Sequence, residues 1–185
     1  MSKMDADGSL TLESDPRVCR CIPLAEIDNA ILLSALKLWD ELRGDRPYPA
    51  RAAVTPRVLK PILRNTSLLK VIDGGADYEY RIVGDAYVMA HGHSYQGLRW
   101  SETAALAKGF HSFVKPVFDS VVRDGAPVAT RGWIERGGQS TGHVYCEYVY
   151  LPLGEGAVDH ILVVAVYLRR GGSEAATAGS SSFTI

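Results

Sequence analysis

SLLKVIDGGADYEYRIV, residues 67–83, is two short apolar runs set about a glycine turn. Ser67 to Ile72 is rich in Leu, Val and Ile, and Asp77 to Val83 alternates Tyr78, Tyr80 and Ile82 against Asp77, Glu79 and Arg81. That is the period of a strand with one buried face, and Asp73-Gly74-Gly75-Ala76 between the runs predicts a tight hairpin. Two strands alone cannot bury a sheet face, so the flanking sequence must supply partners.

Working toward the C-terminus, a short helical stretch follows at about 85–91. Ser101 is placed to cap a helix that carries Phe110, Phe113, Val114, Val117 and Val121 on one face. Asp124-Gly125 ends it, and Pro116 is expected to kink or divide it. Three more strands are predicted, Val128 to Glu135, His143 to Leu151 and His160 to Leu168, joined by 136–142 and by Gly154-Glu155-Gly156. Toward the N-terminus, Thr55-Pro56 reads as a cap followed by a first-turn proline, and Pro61 keeps that helix to a turn or two. Before it, a helix is predicted over 24–42, with Ile27, Ile31, Ala35, Leu38, Trp39 and Leu42 at helical spacing and Leu32, Leu33 and Leu36 widening the stripe. Arg43-Gly44 stops it. Two strands, a helical crossover and a three-strand meander make an α+β fold. Its five-stranded antiparallel sheet carries the crossover helices on one face and an added N-terminal helix that can cover the other.

Composition sets the outer bounds. The chain has 185 residues with 46% hydrophobic and 22% charged, enough for one domain with its own core. Residues 1–21 read as an N-terminal tail, 22–170 as the single domain and 171–185 as a flexible tail. A net charge of −1 supplies no global field for nucleic acid or an anionic membrane. The longest apolar run, Ile161 to Leu168, is far short of the about 20 residues a spanning helix needs, and no leader is recognisable. Three cysteines make no disulfide framework, so a reducing, cytoplasmic setting is expected.

The stretches LWDELRGDRPYPARAAVTP (38–56) and DYEYRIVGDAYVMAHGHSYQG (77–97) resemble the compact PAS-like proteins of alphaproteobacteria. The shared pattern is Trp39, Arg43, Gly44 and Arg46 at a helix end, continuing through Pro49, Arg51 and Pro56. Tyr78, Tyr80, Arg81, Gly84 and Gly97 follow in order. Ala52 and Ala53 stand where an acidic residue often follows the arginine, so an ion pair of Arg51 with it is not expected. The resemblance implies a PAS domain acting as a sensor or interaction module, not an enzyme.

The chemical motifs fail on spacing. Gly92-His93-Ser94-Tyr95-Gln96-Gly97 departs from a nucleophile elbow because its second glycine comes one residue late. Cys19-x-Cys21 and His91-x-His93 are each spaced too closely for the halves of a structural zinc site, and no metal is predicted. Asp73-Gly74-Gly75 is explained by its turn, and Glu135 with Glu147 by ordinary exposed strand positions. Seven basic residues against one acid between Leu42 and Lys70 come without any groove-reading motif, so Arg46 and Arg51 are expected to hold their own connector down.

The apolar faces carry more. Tyr87, Phe110, Phe113, Val117, Val144, Tyr148 and Cys146 are expected to converge on the helix-covered face of the sheet, as either a filled core or a ligand cleft. No cofactor is predicted, although the resemblance puts His111 where haem-binding PAS sensors carry their proximal ligand. The output is therefore expected to be contact with a regulatory protein partner, with a homodimer through the helix 24–42 because its extra leucines need cover. The alternative is a small-molecule-binding or isomerase-type enzyme with a cone-shaped α+β fold, which would use His143 and Glu135. Strand order separates the two, since a PAS sheet places the first of these strands beside the last.

Overall fold

The computed structural model describes residues 19–103, 108–135 and 143–168. Among them the strands β1 (Arg20–Ile22), β2 (Thr66–Ile72), β3 (Asp77–Val83), β4 (Val128–Glu135), β5 (His143–Glu155) and β6 (Ala157–Leu168) form one antiparallel sheet ordered β1-β4-β5-β6-β2-β3. The helices are α1 (Ala30–Arg43), α2 (Pro56–Leu59), α3 (Asp85–His91), α4 (Trp100–Thr103) and α5 (Lys108–Asp124). β2 lies beside β6, with Thr66 opposite Val164 and Lys70 opposite His160, so the first strand of the sequence-predicted five meets the last. That is the PAS order.

The sheet has a sixth strand where five were expected. β1 pairs Arg20 with Arg131, Cys21 with Thr130 and Ile22 with Ala129 along the outer edge of β4. Arg20 and Cys21, read from sequence as the end of a tail, therefore belong to the sheet, and the buried Cys19 directly precedes it. Three residues carry no usable periodicity, and the strand exists because β4 offers an open row of N–H and C=O groups. Arg131 adds a side-chain tie, its Nε 2.7 Å from Glu147 Oε1 and its Nη2 donating to the Glu26 carbonyl at 2.9 Å.

α1 starts later than the predicted 24–42. Asn29 caps it, its Oδ1 accepting from the Ile31 N–H at 3.0 Å, while Leu24–Glu26 forms a separate 3₁₀ turn. At the other end Gly44 takes φ 55° and its N–H reaches the Asp40 carbonyl, the stop that Arg43-Gly44 announced. The docked face differs from the expected stripe. Leu32, Ala35 and Trp39 are buried against Leu151, Leu162 and Val164, whereas Ile31, Leu38 and Leu42 are half-buried on one flank and Leu36 on the other. Leu33 alone of the three extra leucines is exposed, at 45%. Two overlapping series at three and four residues exist in this helix, and the sheet selects the one that buries Leu32 and Trp39.

The Trp39, Arg43, Gly44 and Arg46 pattern proves to be a helix ending that ties α1 to the sheet. Trp39 Nε1 donates to the Pro152 carbonyl at 2.8 Å, and the Arg43 guanidinium lies over the Trp39 ring. Arg46 donates to the carbonyls of Leu42 and Arg43, and Arg51 to that of Val54 at 2.7 Å, which is the connector-holding role expected of them. Trp39→Phe should therefore keep most of the buried ring but strand the Pro152 carbonyl, a loss of about 1–2 kcal/mol readable as a lower urea midpoint with an unchanged slope.

α3, α4 and α5 cover the opposite face. α5 runs through Pro116 as a single helix, contrary to the expected division, because Val114 on one side and Val117, Phe118 and Val121 on the other all seat on the sheet. Packing of both flanking turns holds the helix together across the missing N–H. Among the described residues no helix is long and apolar enough to cross a membrane.

Candidate functional site

Alternation along the strands sends Tyr148 and Tyr150 of β5, Tyr78 and Tyr80 of β3 and Tyr167 of β6 toward the α3–α5 face, where α3 adds Tyr87 and His91 and the following loop adds Tyr95. The rings interlock. Tyr87 stacks on His91 with centroids 4.0 Å apart, Tyr80 meets Tyr95 at 5.5 Å, and Tyr148 lies parallel to Tyr150 and edge-on to Tyr167. The Tyr148 hydroxyl donates to that of Tyr167 at 3.3 Å, and the hydroxyls of Thr130 and Tyr150 are hydrogen-bonded to each other at 3.4 Å. At the outer end Tyr78 donates to Asp119 at 2.6 Å, and Lys115 donates to both oxygens of the same carboxylate.

The electrostatics follow from burial. Burial drives the phenols of Tyr87, Tyr148, Tyr150 and Tyr167 well above their ordinary range and pushes Tyr95 up to about 12. The His91 imidazole is held down to about 3 by burial first and by the neighbouring His93 second. The cluster is therefore a set of neutral hydrogen-bonding rings, with no phenolate and no imidazolium among these groups near neutrality. That chemistry suits packing and polar recognition better than acid–base work.

Of the sequence-predicted cleft residues, the structure gathers Tyr87, Val117, Val144 and Tyr148 in one buried cluster with Phe113 packed half-buried against it. Phe110 and His111 lie within α5, but their side chains fall outside the described residues, and the haem option at His111 with them. Between Tyr80, Tyr87, Phe118, Tyr148 and Tyr150 only about 10 Å³ of space is left, room for one water at most. Tyr80, Tyr95, Tyr150, Tyr167 and His91 were missing from the expected set. The alternations 78/80 and 148/150 contained two of them, whereas His91 and Tyr95 sit at a helix end and in a loop, where no period marks the inward side.

A larger space opens beside this cluster. A groove of about 290 Å³ is lined by Ile31 of α1, Arg64 and Asn65 of the 3₁₀ turn before β2, Ala86 and Met89 of α3, and Val144 and Tyr167 at the ends of β5 and β6. Val144 is the one sequence-predicted residue on its wall. Met89 is 55% exposed, and Arg64 Nη2 lies 3.3 Å from its sulfur.

The other motifs resolve locally. Gly92 ends α3 with φ 83°, and Ser94 Oγ accepts from the Gln96 N–H at 3.2 Å, so the Gly-His-Ser segment is a helix cap leading into a serine turn. Glu135 and His143 stand opposite each other in the β4–β5 register, their side chains outside the described residues. Among the described residues no group of three or more His, Cys, Asp or Glu side chains is placed to hold a metal ion. Cys19 instead meets Cys146, sulfur to sulfur at 3.7 Å.

The PAS domain family profile matches residues 28–167. A comparison with curated proteins finds no match. Among solved structures, one described as an RNA-binding Light-Oxygen-Voltage receptor is similar at 13% identity and a TM-score of 0.47 over 80% of this chain. The chain spans 38% of that receptor chain's length.

Proposed function

Since the chain belongs to the PAS domain family, we propose that it is a non-catalytic sensory or protein-interaction module that regulates a signalling partner by surface contact. The observation carrying this reading is the filled aromatic cluster between the sheet and the described parts of α3 and α5. Among the described residues, the space between Tyr80, Tyr87, Phe118, Tyr148 and Tyr150 is filled by the protein's own rings down to about 10 Å³, and the Tyr87 and Tyr148 phenols are neutral. Information then enters and leaves through the surface. A second copy docking on α1 is the contact proposed within the molecule's own kind, and it centres on Leu33, the extra leucine left exposed. A small ligand remains a second reading, favoured by the groove of about 290 Å³, close to the lower size of small-molecule sites at about 300 Å³.

Native mass spectrometry of the purified protein tests both at once, because it reads stoichiometry and retained mass together. The wild type is expected as a dimer without added mass and Leu33→Glu as a monomer with an unchanged circular dichroism spectrum. A dimer in both moves the contact off α1, and a monomeric wild type ends the homodimer proposal. A retained small molecule that is lost on Met89→Trp but kept on Tyr148→Phe would establish the groove as a sensing site and displace the contact-only reading.

A further inference from the structure

Cys19 and Cys146 are free thiols, 4% and 0% exposed, whose sulfurs lie 3.7 Å apart across 127 residues of sequence. Gly132 makes the meeting possible. The β1–β4 register pairs Arg20 with Arg131, which puts Cys19 in the lane beside Gly132, and the β4–β5 register pairs Gly132 with Cys146. Neighbouring strands run about 4.8 Å apart, so the two cysteine backbones stand two lanes, or about 9.5 Å, from each other with β4 between them. Any side chain pointing the same way from position 132 would separate them. Glycine has none, and Cys146 Sγ donates across the gap to the Gly132 carbonyl at 3.3 Å. Burial, then the contact with Cys19, pushes the Cys146 thiol well above its ordinary range, so it is a protonated and quiet group while the edge is closed.

From this juxtaposition we infer that Cys19 and Cys146 are the two ends of a reversible intrachain disulfide, formed by hydroperoxide, whose closure releases β1 from β4. The geometry dictates the release. A disulfide spans at most about 6.8 Å between Cα atoms, about 3 Å less than two strand lanes, so one backbone must move. Cys146 cannot be that one, since β5 is paired on one side to β4 and on the other to β6. Cys19 can, because it precedes an edge strand of three residues, the kind of segment that opens locally well before the domain does. Opening also brings the Cys19 sulfur to solvent. There its thiolate attacks the peroxide oxygen, the O–O bond breaks, an alcohol or water leaves after protonation, and Cys19 becomes a sulfenic acid. The Cys146 sulfur then attacks the Cys19 sulfur, the S–O bond breaks, and the thiol proton departs with the hydroxyl as water. Two thiols are oxidised by two electrons and one peroxide is reduced. A dithiol reductant reverses it.

Cys21 supplies the internal control, being exposed and two residues from Cys19. The full chain is treated with hydrogen peroxide, digested without reductant and mapped by mass spectrometry in the wild type, Cys21→Ser and Cys146→Ala. An intrachain Cys19–Cys146 linkage, with no disulfide-linked pair of chains, is expected in the wild type and equally in Cys21→Ser, and none in Cys146→Ala. Amide hydrogen exchange in β1 should accelerate by about tenfold or more on oxidation and return with dithiothreitol. Oxidation of Cys21 while Cys19 and Cys146 stay as thiols overturns the inference, as does a linkage that forms only in the urea-unfolded chain. A native linkage with unchanged β1 exchange refutes the release of the strand.

Discussion

Gly84→Ala is expected to lower the melting temperature by roughly 6–12 °C, the response of a domain this size to about 3 kcal/mol. The sequence suggests glycine here for a positive φ at an abrupt strand-to-helix turn, and the structure replaces that reason with another. Gly84 has φ −72° and ψ 156°, open to any residue. What excludes a side chain is distance. A Cβ at this position would stand 2.4 Å from the Arg64 carbonyl oxygen and 2.7 Å from that of Thr66. Both are backbone atoms, and the Thr66 carbonyl also accepts the Gly84 N–H at 2.9 Å, so the segment cannot draw back without losing the bond that joins the end of β3 to the start of β2. Relief must come from moving the turn at Leu63–Asn65 or the strand itself, at the upper end of overpacking costs, about 3 kcal/mol. A thermal melt followed by circular dichroism reads the result. An unshifted melting curve would mean that the turn moves freely and that this approach is not a constraint.

Acidification should weaken the fold steeply between about pH 6.5 and pH 3, with His91 as the largest single contributor. The ring is fully buried, stacked on Tyr87 and edge-on to Tyr95 and Tyr167 at 5.8 and 6.0 Å. Its folded pKa is about 3 and its unfolded value about 6.5. Because the unfolded chain takes up this proton first, stability is complete above about pH 6.5. It falls by roughly 1.4 kcal/mol per unit as the pH drops, until the folded form also protonates near 3. At pH 4 the deficit from this group is on the order of 3 kcal/mol. Urea unfolding of wild type and His91→Phe at pH 7 and pH 4 isolates it, since phenylalanine keeps the stacking on Tyr87 but cannot titrate. The variant should lose markedly less stability between the two pH values; equal losses would assign the acid sensitivity to carboxylates.

The candidate site was legible to the extent that its residues recur with a period. Tyr148 and Val144 follow from alternation along β5 and Val117 from the apolar face of α5, and all three are buried together with Tyr87. Whether these side chains line a cleft or fill it was not legible, because the answer depends on six elements, β2, β3, α3, α5, β5 and β6, meeting at once. The remaining space of about 10 Å³ is a difference between the volume of the rings and the volume between sheet and helices, and neither is a property of any one segment.

Features encoded within a few residues of the place where they act are legible in the chain alone. The hairpin about 73–76, the stop at Gly44, the Thr55 cap with Pro56 behind it and the two-strand, crossover, three-strand order all follow from turn chemistry, capping and period. Packing between distant segments set the rest. It recruited Arg20–Ile22 to the open edge of β4, turned Leu32 rather than Ile31 onto the sheet, required Gly84 for a carbonyl oxygen eighteen or more residues away, and brought Cys19 to Cys146 across Gly132. The physical reason is the range of the forces involved. Backbone conformation and hydrogen bonding within a turn are settled by near neighbours, whereas register, docked face and close approach are settled by steric fit and burial between segments distant in the chain.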